Sequence, residues 1–129
     1  MKELNVVAAI IKENKKILAT KRGYGGFINL WEFPGGKIEK NETKEEALIR
    51  EINEELNIIV NIEKFALDLA CQYPDFYLYM YCYECNIKEG TIKLTEHKDA
   101  RWLSKNELDS VKWIPADIKI INYLKNKKW

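Results

Sequence analysis

Three glutamates, Glu51, Glu54 and Glu55, lie close together in the segment from Thr43 to about Asn57, where the apolar residues recur with a helical period. On a helix turning roughly 100° per residue they share an arc about 100° wide with Ala47 in its middle. Leu48, Ile49, Ile52 and Leu56 form a separate stripe that is expected to face a core. Two carboxylates about 5 Å apart at an effective dielectric of about 20 repel by roughly 3 kcal/mol, and a third adds to this. Such a cluster is unfavourable or partly protonated unless a cation sits against it. Hard oxygen donors with neither His nor Cys beside them suit Mg²⁺ or Mn²⁺. A solvated charged face is the usual meaning of a Glu- and Lys-rich helix, and the helix alone supports nothing more. The residues just before it change the weighing. Gly35 and Gly36 allow a close backbone approach that a Cβ would block, leaving a bare carbonyl available as a further ligand.

The elements that must position this cluster follow from local patterns. Thr43 and Glu46 have the spacing of a capping box, and Asn57 suits a left-handed residue ending the helix. LNVVAAII and KILATK, parted by the polar ENKK, predict a hairpin. The glycine-rich RGYGGFIN leads into LWEFPGG, a short extended segment ended by Pro34 and two glycines. NIEKFALDLACQY and FYLYMYCYECNI predict two strands joined through Pro74 and Asp75, and TIKL and DARWLS predict further strand. Ser104 is placed to cap a short helix over KNELD, and PADIKIINYLKNKK, beginning with proline and ending in lysines, predicts a terminal helix. Mixed strands with one internal and one terminal helix make an α+β fold, the sheet partly covered by helices on its faces.

A chain of 129 residues with 47% hydrophobic content suits a single domain over 1–129. Its 21 basic and 20 acidic residues leave a net charge of +1, so no overall field draws it to nucleic acid or a membrane. The terminal KNKK fits a helix end better than a nucleic-acid stripe. The short apolar run in MKELNVVAAIIKENKK is broken by Lys12, Glu13 and Asn14, which fits neither a secretory signal nor a spanning helix and leads to the expectation of a cytoplasmic protein. Cys71, Cys82 and Cys85 are an odd set. Strand alternation sends Cys82 and Cys85 to opposite faces, so buried thiols are expected rather than a zinc site or a disulfide. His97, the single histidine, is expected in a solvated loop beside Glu96, and Trp31, Trp102 and Trp113 are expected in the core. Tyr73 is an aromatic at the turn before Pro74 and Asp75.

Residues Gly36 to Ile58, GKIEKNETKEEALIREINEELNI, resemble the Nudix box, with Glu42, Arg50, Glu51, Glu54 and Glu55 at every charged position and Asn57 where the family has glycine. VVAAII, LWEFPGGKIE and PADI extend the likeness to MutT-like members, the CTP pyrophosphohydrolase type included. The resemblance implies an α/β/α sandwich around a mixed sheet. It implies Mg²⁺ or Mn²⁺ held by the Gly35 carbonyl, Glu51, Glu54 and Glu55, with Glu96 as an outlying ligand. Arg50 and Glu42 would orient these carboxylates, and Arg50, Glu51, Glu54 and Glu96 form the catalytic set. Arg22 would contact phosphate, with Lys37, Tyr73 and Asp117 as further substrate-binding residues. The implied reaction cuts a nucleoside triphosphate to monophosphate and pyrophosphate, as in clearing 8-oxo-dGTP. A cytosine triphosphate or, more distantly, a nucleoside diphosphate derivative such as ADP-ribose is the alternative substrate. A binding module without activity would lack the glutamates that this chain retains. Either Glu51 or Glu96 is available as the base.

Asp117 falls where relatives read the base, yet a carboxylate is also favourable in the first turn of a helix, and both readings stand. Read as an ionised group, it only accepts hydrogen bonds and selects an edge with adjacent donors. Partners beyond a nucleoside triphosphate, such as a nucleic-acid polymer or a membrane, are not expected, and the state is expected to be monomer or homodimer.

Overall fold

The computed structural model describes residues 2–129 and is organised about β1 (Lys2–Glu13). One edge of β1 pairs in parallel with β6 (Phe76–Gly90), from Lys2 against Phe76 to Ile11 against Cys85. The other edge is shared. β4 (Gly35–Lys37) pairs antiparallel with Val6 to Ala8, and β2 (Lys16–Lys21) takes over at Lys12 and Glu13. Asn14 and Lys15 make the hairpin turn with φ of 52° and 61°, the left-handed pair whose twist matches the strands it joins. β2 in turn carries β3 (Trp31–Glu32) and β7 (Asp99–Ser104), and β5 (Ile58–Gln72) pairs with β6, all antiparallel. The sheet is therefore mixed.

Alternation along β1 feeds two cores. Val7, Ala9 and Ile11 pack with Leu48, Ile52 and Leu56 of α1 (Lys44–Leu56). Ala8 and Ile10 face the other way, toward Ile120, Ile121 and Leu124 of α2 (Ile118–Lys125). The result is the expected sandwich of helix, sheet and helix, each fully buried aliphatic side chain contributing about 1.5–3 kcal/mol. Cys82 and Cys85 join different cores and are free, and burial pushes both thiols up, Cys85 to about 12. Trp31 and Trp113 are buried and Trp102 half-buried, Trp113 stacking on Phe33 at 4.9 Å. No helix among the described residues is long and apolar enough to cross a membrane.

Two expectations need correction. TIKL is not a strand; the Lys93 amide donates instead to the Leu56 carbonyl at 2.9 Å, so the segment caps the end of α1. The terminal helix begins at Ile118, because Pro115–Asp117 forms a 3₁₀ turn whose Asp117 amide bonds to the Ile114 carbonyl. The short helix over KNELD is present, as 3₁₀ over Lys105–Ser110 with Ser104 at its N-cap, the Ser104 amide donating to Glu107 at 2.9 Å.

Glu84, on β6, is 0% exposed in a chain whose other buried strand residues are mostly apolar. Lys12 Nζ stands 2.9 Å from Oε1, while the Tyr123 hydroxyl donates to Oε2 at 2.6 Å and Lys127 Nζ also meets Oε2. Burial alone would raise this carboxyl, but Lys127, Tyr123 and Lys12 reverse the shift and hold it at about 2. Since this lies below its ordinary value of 4.5, the contribution of Glu84 to stability is complete above that pH and is lost as pH falls toward 2. Because the lysines keep solvent contact, we expect Glu84→Gln to cost about 2 kcal/mol at pH 7, below the range for a fully enclosed pair. Urea unfolding should show this gap closing between pH 4.5 and 2, and equal stabilities at pH 7 would exclude the role.

Candidate active site

Thr43 and Glu46 form the capping box, Thr43 Oγ1 accepting from the Glu46 amide at 3.1 Å and Glu46 Oε1 from the Thr43 amide at 2.9 Å. Asn57 ends α1 in the left-handed region at φ 60°. The buried side of the helix differs from the expected stripe. Ala47, Leu48, Ile52, Glu55 and Leu56 are buried, whereas Ile49 is 39% exposed. The helix is thus rolled so that the small Ala47 and Glu55 turn inward, and Glu55 comes to the middle of the buried arc.

Glycine makes that approach possible. A Cβ at Gly36 would collide with the Glu51 carboxylate, and one at Gly35 with the Val7 carbonyl of β1. Glu55 Oε1 is enclosed with no hydrogen-bond partner. Burial pushes its carboxyl up to about 8, with added repulsion from Glu51, Glu32 and Glu96 and only partial relief from the Gly35 amide. Glu51 is raised by burial as well, against the pull of Arg50.

Arg50 gathers the rest of the acidic group. Its Nε and Nη2 donate to Glu42 at 2.6 and 2.9 Å, and Nη2 also reaches the Lys37 carbonyl at 3.0 Å. Nη1 donates to Glu51 at 2.9 Å and to Glu54 at 3.3 Å. The Arg50 fork and the Glu39 amide draw Glu42 down to about 2. Lys37 engages through its carbonyl while its side chain is exposed.

The facing wall comes from the loops around β3 and β7. Arg22 Nη1 donates to Glu32 Oε1 at 2.8 Å, and its Nε to the Gly26 carbonyl at 2.8 Å. His97 Nε2 lies 3.2 Å from the other Glu32 oxygen, and the His97 side chain is only 4% exposed. His97 is therefore a loop residue but not a solvated one. Thr95 Oγ1 donates to the Glu54 and Glu55 carbonyls at 3.0 and 3.1 Å, which brings Glu96 into one cleft with Glu55, Gly35, Arg22, Glu32 and His97. The sequence reading passed over Glu32 and Thr95. An acid between Trp31 and Phe33 in a strand was a usable sign for Glu32, whereas nothing local marks Thr95.

Asp117 sits on the other side of β3. It is buried, and Oδ2 accepts from the Phe33 amide at 2.8 Å while Oδ1 has no partner. Burial pushes its carboxyl up to about 8, partly restrained by the Phe33 amide, so it is neutral at pH 7. Asp117 does stand in the first turn before α2, as expected, but inside the protein rather than at its surface, and burial favours its protonated form. Tyr73, half-buried, stacks on Phe76 at 4.8 Å and lies in the field of Asp117.

Among the described residues no three Asp, Glu, His or Cys side chains already form a cage for an ion. Arg50 holds Glu51 and Glu54 on its own fork, so the oxygens converge on the cleft without closing round a point. The donor set nonetheless fits a hard divalent cation, because an unpartnered buried Glu55 oxygen, repelled by three other carboxylates, is relieved by positive charge.

The NUDIX domain profile matches residues 1–124. CTP pyrophosphohydrolase of Escherichia coli K12 is 33% identical over 94% of this chain and 90% of its own. The 8-oxo-dGTP diphosphatase of the same organism is 33% identical over 97% and 98%. The solution structure of the MutT protein of methicillin-resistant Staphylococcus aureus 252 is 40% identical and gives a TM-score of 0.80, covering 99% of this chain and 100% of that one. The E. coli ORF135 solution structure is 32% identical with a TM-score of 0.83, covering 95% and 89%.

The folded Glu55 carboxyl lies near 8, above its ordinary 4.5, so its destabilising effect is absent below pH 4.5 and grows until about pH 8. Glu55→Gln should therefore stabilise the metal-free protein at pH 7, by on the order of 3 kcal/mol. Thermal melts without metal should show the wild type losing ground to the variant as pH rises from 5 to 8. Millimolar Mg²⁺ or Mn²⁺ should raise the melting point of the wild type more than that of the variant. A variant that melts lower than wild type at pH 7 would contradict this.

Proposed function

The chain belongs to the Nudix family and is a hydrolase of phosphoric anhydride bonds, and on that footing we propose that it cuts nucleoside triphosphates with water to monophosphate and pyrophosphate. The single observation that carries this reading is the buried Glu55 carboxyl, one oxygen of which has no partner, in a cleft with Gly35 and Arg22. In this proposal Mg²⁺ or Mn²⁺ is held by the Gly35 carbonyl, Glu51, Glu54, Glu55 and Glu96. When bound, the cation neutralises phosphate oxygens and lowers the pKa of water.

The chain's own residues do the remainder. Arg50, anchored by the charged Glu42, sets the rotamers of Glu51 and Glu54. Arg22, held by Glu32, presents its guanidinium to a phosphate at the mouth of the cleft. Glu51 or Glu96 takes the proton of the attacking water, and the burial of Glu51 favours the protonated form that results. A cytosolic role in removing oxidised nucleotides such as 8-oxo-dGTP before they reach DNA fits this chemistry. The likeness to a CTP pyrophosphohydrolase supports a second reading in which cytosine triphosphates are the main substrates.

A substrate panel with Mg²⁺, scored separately for pyrophosphate and orthophosphate, should yield pyrophosphate, and orthophosphate as the main product would exclude the assignment. Glu54, exposed on α1, supplies charge and no packing, so Glu54→Gln should lose most activity while keeping its melting temperature. Near-normal turnover in saturating Mg²⁺ would count against it.

The neutral Asp117 changes the expected base preference. Below about pH 8 it is donor and acceptor at once and tolerates both cytosine and uracil edges; ionised above that, it penalises a facing carbonyl. The ratio of kcat/KM for CTP over UTP should therefore rise as pH passes 8, by roughly tenfold for a mismatch of 1–3 kcal/mol. Asp117→Asn, which cannot ionise, should remove that rise, and Asp117→Ala should flatten the ranking without stopping hydrolysis. A ratio that rises equally in Asp117→Asn would assign the effect to another group.

A further inference from the structure

The loop between β2 and β3 carries an aromatic residue in a backbone conformation that such residues avoid. Gly25, Phe27 and Asn29 have φ of 78°, 59° and 71°. The first and last types enter the left-handed region readily, whereas Phe does so at a steric cost. Burial does not repay that cost, because Phe27 is 43% exposed, beside the exposed Tyr24 and Ile28. The conformation is enforced by its surroundings. Arg22 Nε donates to the Gly26 carbonyl, the Leu30 amide to the Phe27 carbonyl at 3.1 Å, and Lys98 Nζ to Asn29 Oδ1 at 2.7 Å. A costly conformation held from several sides is a sign of function.

The Phe27 ring lies against Tyr73, with centroids 5.8 Å apart and planes tilted by 55°. The other neighbours of Tyr73 are Phe76, stacked on it, and Ala116, whose amide meets the hydroxyl next to Asp117. One side chain thus links a solvent-facing aromatic ring to a buried carboxyl whose Oδ1 lacks a partner. An apolar face for stacking and a polar edge-reader are the two requirements of a nucleobase. The residue that holds the loop, Arg22, also lines the acidic cleft, where the phosphates of the same substrate belong.

Resting on the triphosphate reading, we infer that Phe27 supplies the stacking face for the nucleobase whose edge Asp117 meets, and that Arg22 couples this face to the phosphate end of the substrate. Stacking tolerates any base, so Phe27 sets affinity for bases in general while Asp117 ranks them. A purine such as 8-oxoguanine, with more ring to cover, depends on Phe27 more than cytosine does.

The test compares Phe27→Ala, Phe27→Leu and Phe27→Trp with wild type. For 8-oxo-dGTP the Ala variant should raise KM by about tenfold with kcat little changed, and for CTP by less; Trp should keep the wild-type KM and Leu should resemble Ala. A deoxyribose 5′-triphosphate without a base should be turned over equally by wild type and Phe27→Ala. In metal-free protein, calorimetric titration with 8-oxo-dGMP and CMP should weaken by a similar factor in Ala and Leu but not in Trp, and ribose 5-phosphate should not discriminate among the four. Unchanged KM and unchanged monophosphate affinity in a folded Ala or Leu variant would overturn the inference, as would an equal loss for the base-free triphosphate. If wild type turns over no triphosphate, the reading of the reaction fails, and the monophosphate titration still decides the role of Phe27.

Discussion

The close docking of α1 on the Gly35–Gly36 backbone is the contact on which the rest of the molecule depends. Because neither glycine carries a Cβ and Ala47 is small, the helix rolls toward β4 and turns Glu55 into the protein. The same roll leaves Ile49 outside and puts the Glu51 carboxylate against Gly36. A larger residue at Gly36 would push the helix off the strand at Glu51, and one at Gly35 would part β4 from β1 at Val7. Either shift would ease the crowding that holds Glu55 and Glu51 in the protein, and with it the charge burden from which the proposed cation site is argued. Fold stability and site chemistry thus oppose each other at one helix face, and the apolar anchors Leu48, Ile52 and Leu56 supply the energy that keeps the strained arrangement in place.

Arg50 keeps the acidic face from flying apart. Its guanidinium contacts Glu42, Glu51 and Glu54 and the Lys37 carbonyl, so one planar group bridges the helix, the loop before it and β4. A lysine could not do this, since a point charge lacks the fork that addresses Glu42 twice while still reaching Glu51. The cost is that Arg50 holds Glu51 and Glu54 in positions suited to itself. The unliganded site is therefore pre-gathered rather than preformed. The buried Glu55, which Arg50 does not reach, keeps one oxygen without a partner, and in the proposed site that oxygen would be free to meet positive charge.

Features governed by near neighbours in the chain were legible in the sequence. The Asn14–Lys15 hairpin, the Thr43–Glu46 capping box, the left-handed Asn57 and the split of Cys82 and Cys85 between two cores all follow from local geometry. What escaped depends on distant partners. The exact roll of α1 is decided by the absence of side chains on β4, which periodicity within the helix cannot register. TIKL has the composition of a strand, but the unsatisfied carbonyls at the end of α1 compete for its amides. His97 is shielded with Glu32 beside it, and burial favours the protonated form of Asp117 against the pull of the Phe33 amide. Both partners belong to LWEFPGG, a segment read for its proline and glycines rather than for the groups between them.

That segment joins two chemically different ends of one site. Trp31, Glu32 and Phe33 alternate, so Glu32 faces Arg22 and His97 in the charged cleft while the Phe33 ring stacks on Trp113 and its amide serves Asp117. The strand thereby separates a region where carboxylates repel one another from a region where a single carboxyl is kept neutral by burial. Repulsion in the first favours binding of positive charge together with the phosphates it neutralises; neutrality in the second favours an uncharged ring. A nucleotide has that same division, anionic at one end and aromatic at the other. The pairing of Glu32 with Arg22 keeps the arginine's charge at the boundary, where it favours the ionised form of Asp117 against the opposing effect of Glu32 and, in the proposed reaction, would face the phosphate end. Moving that charge either way would unbalance one half of the site, which makes the short strand at Trp31–Glu32, rather than the helix alone, the element that sets the distance between the two chemistries.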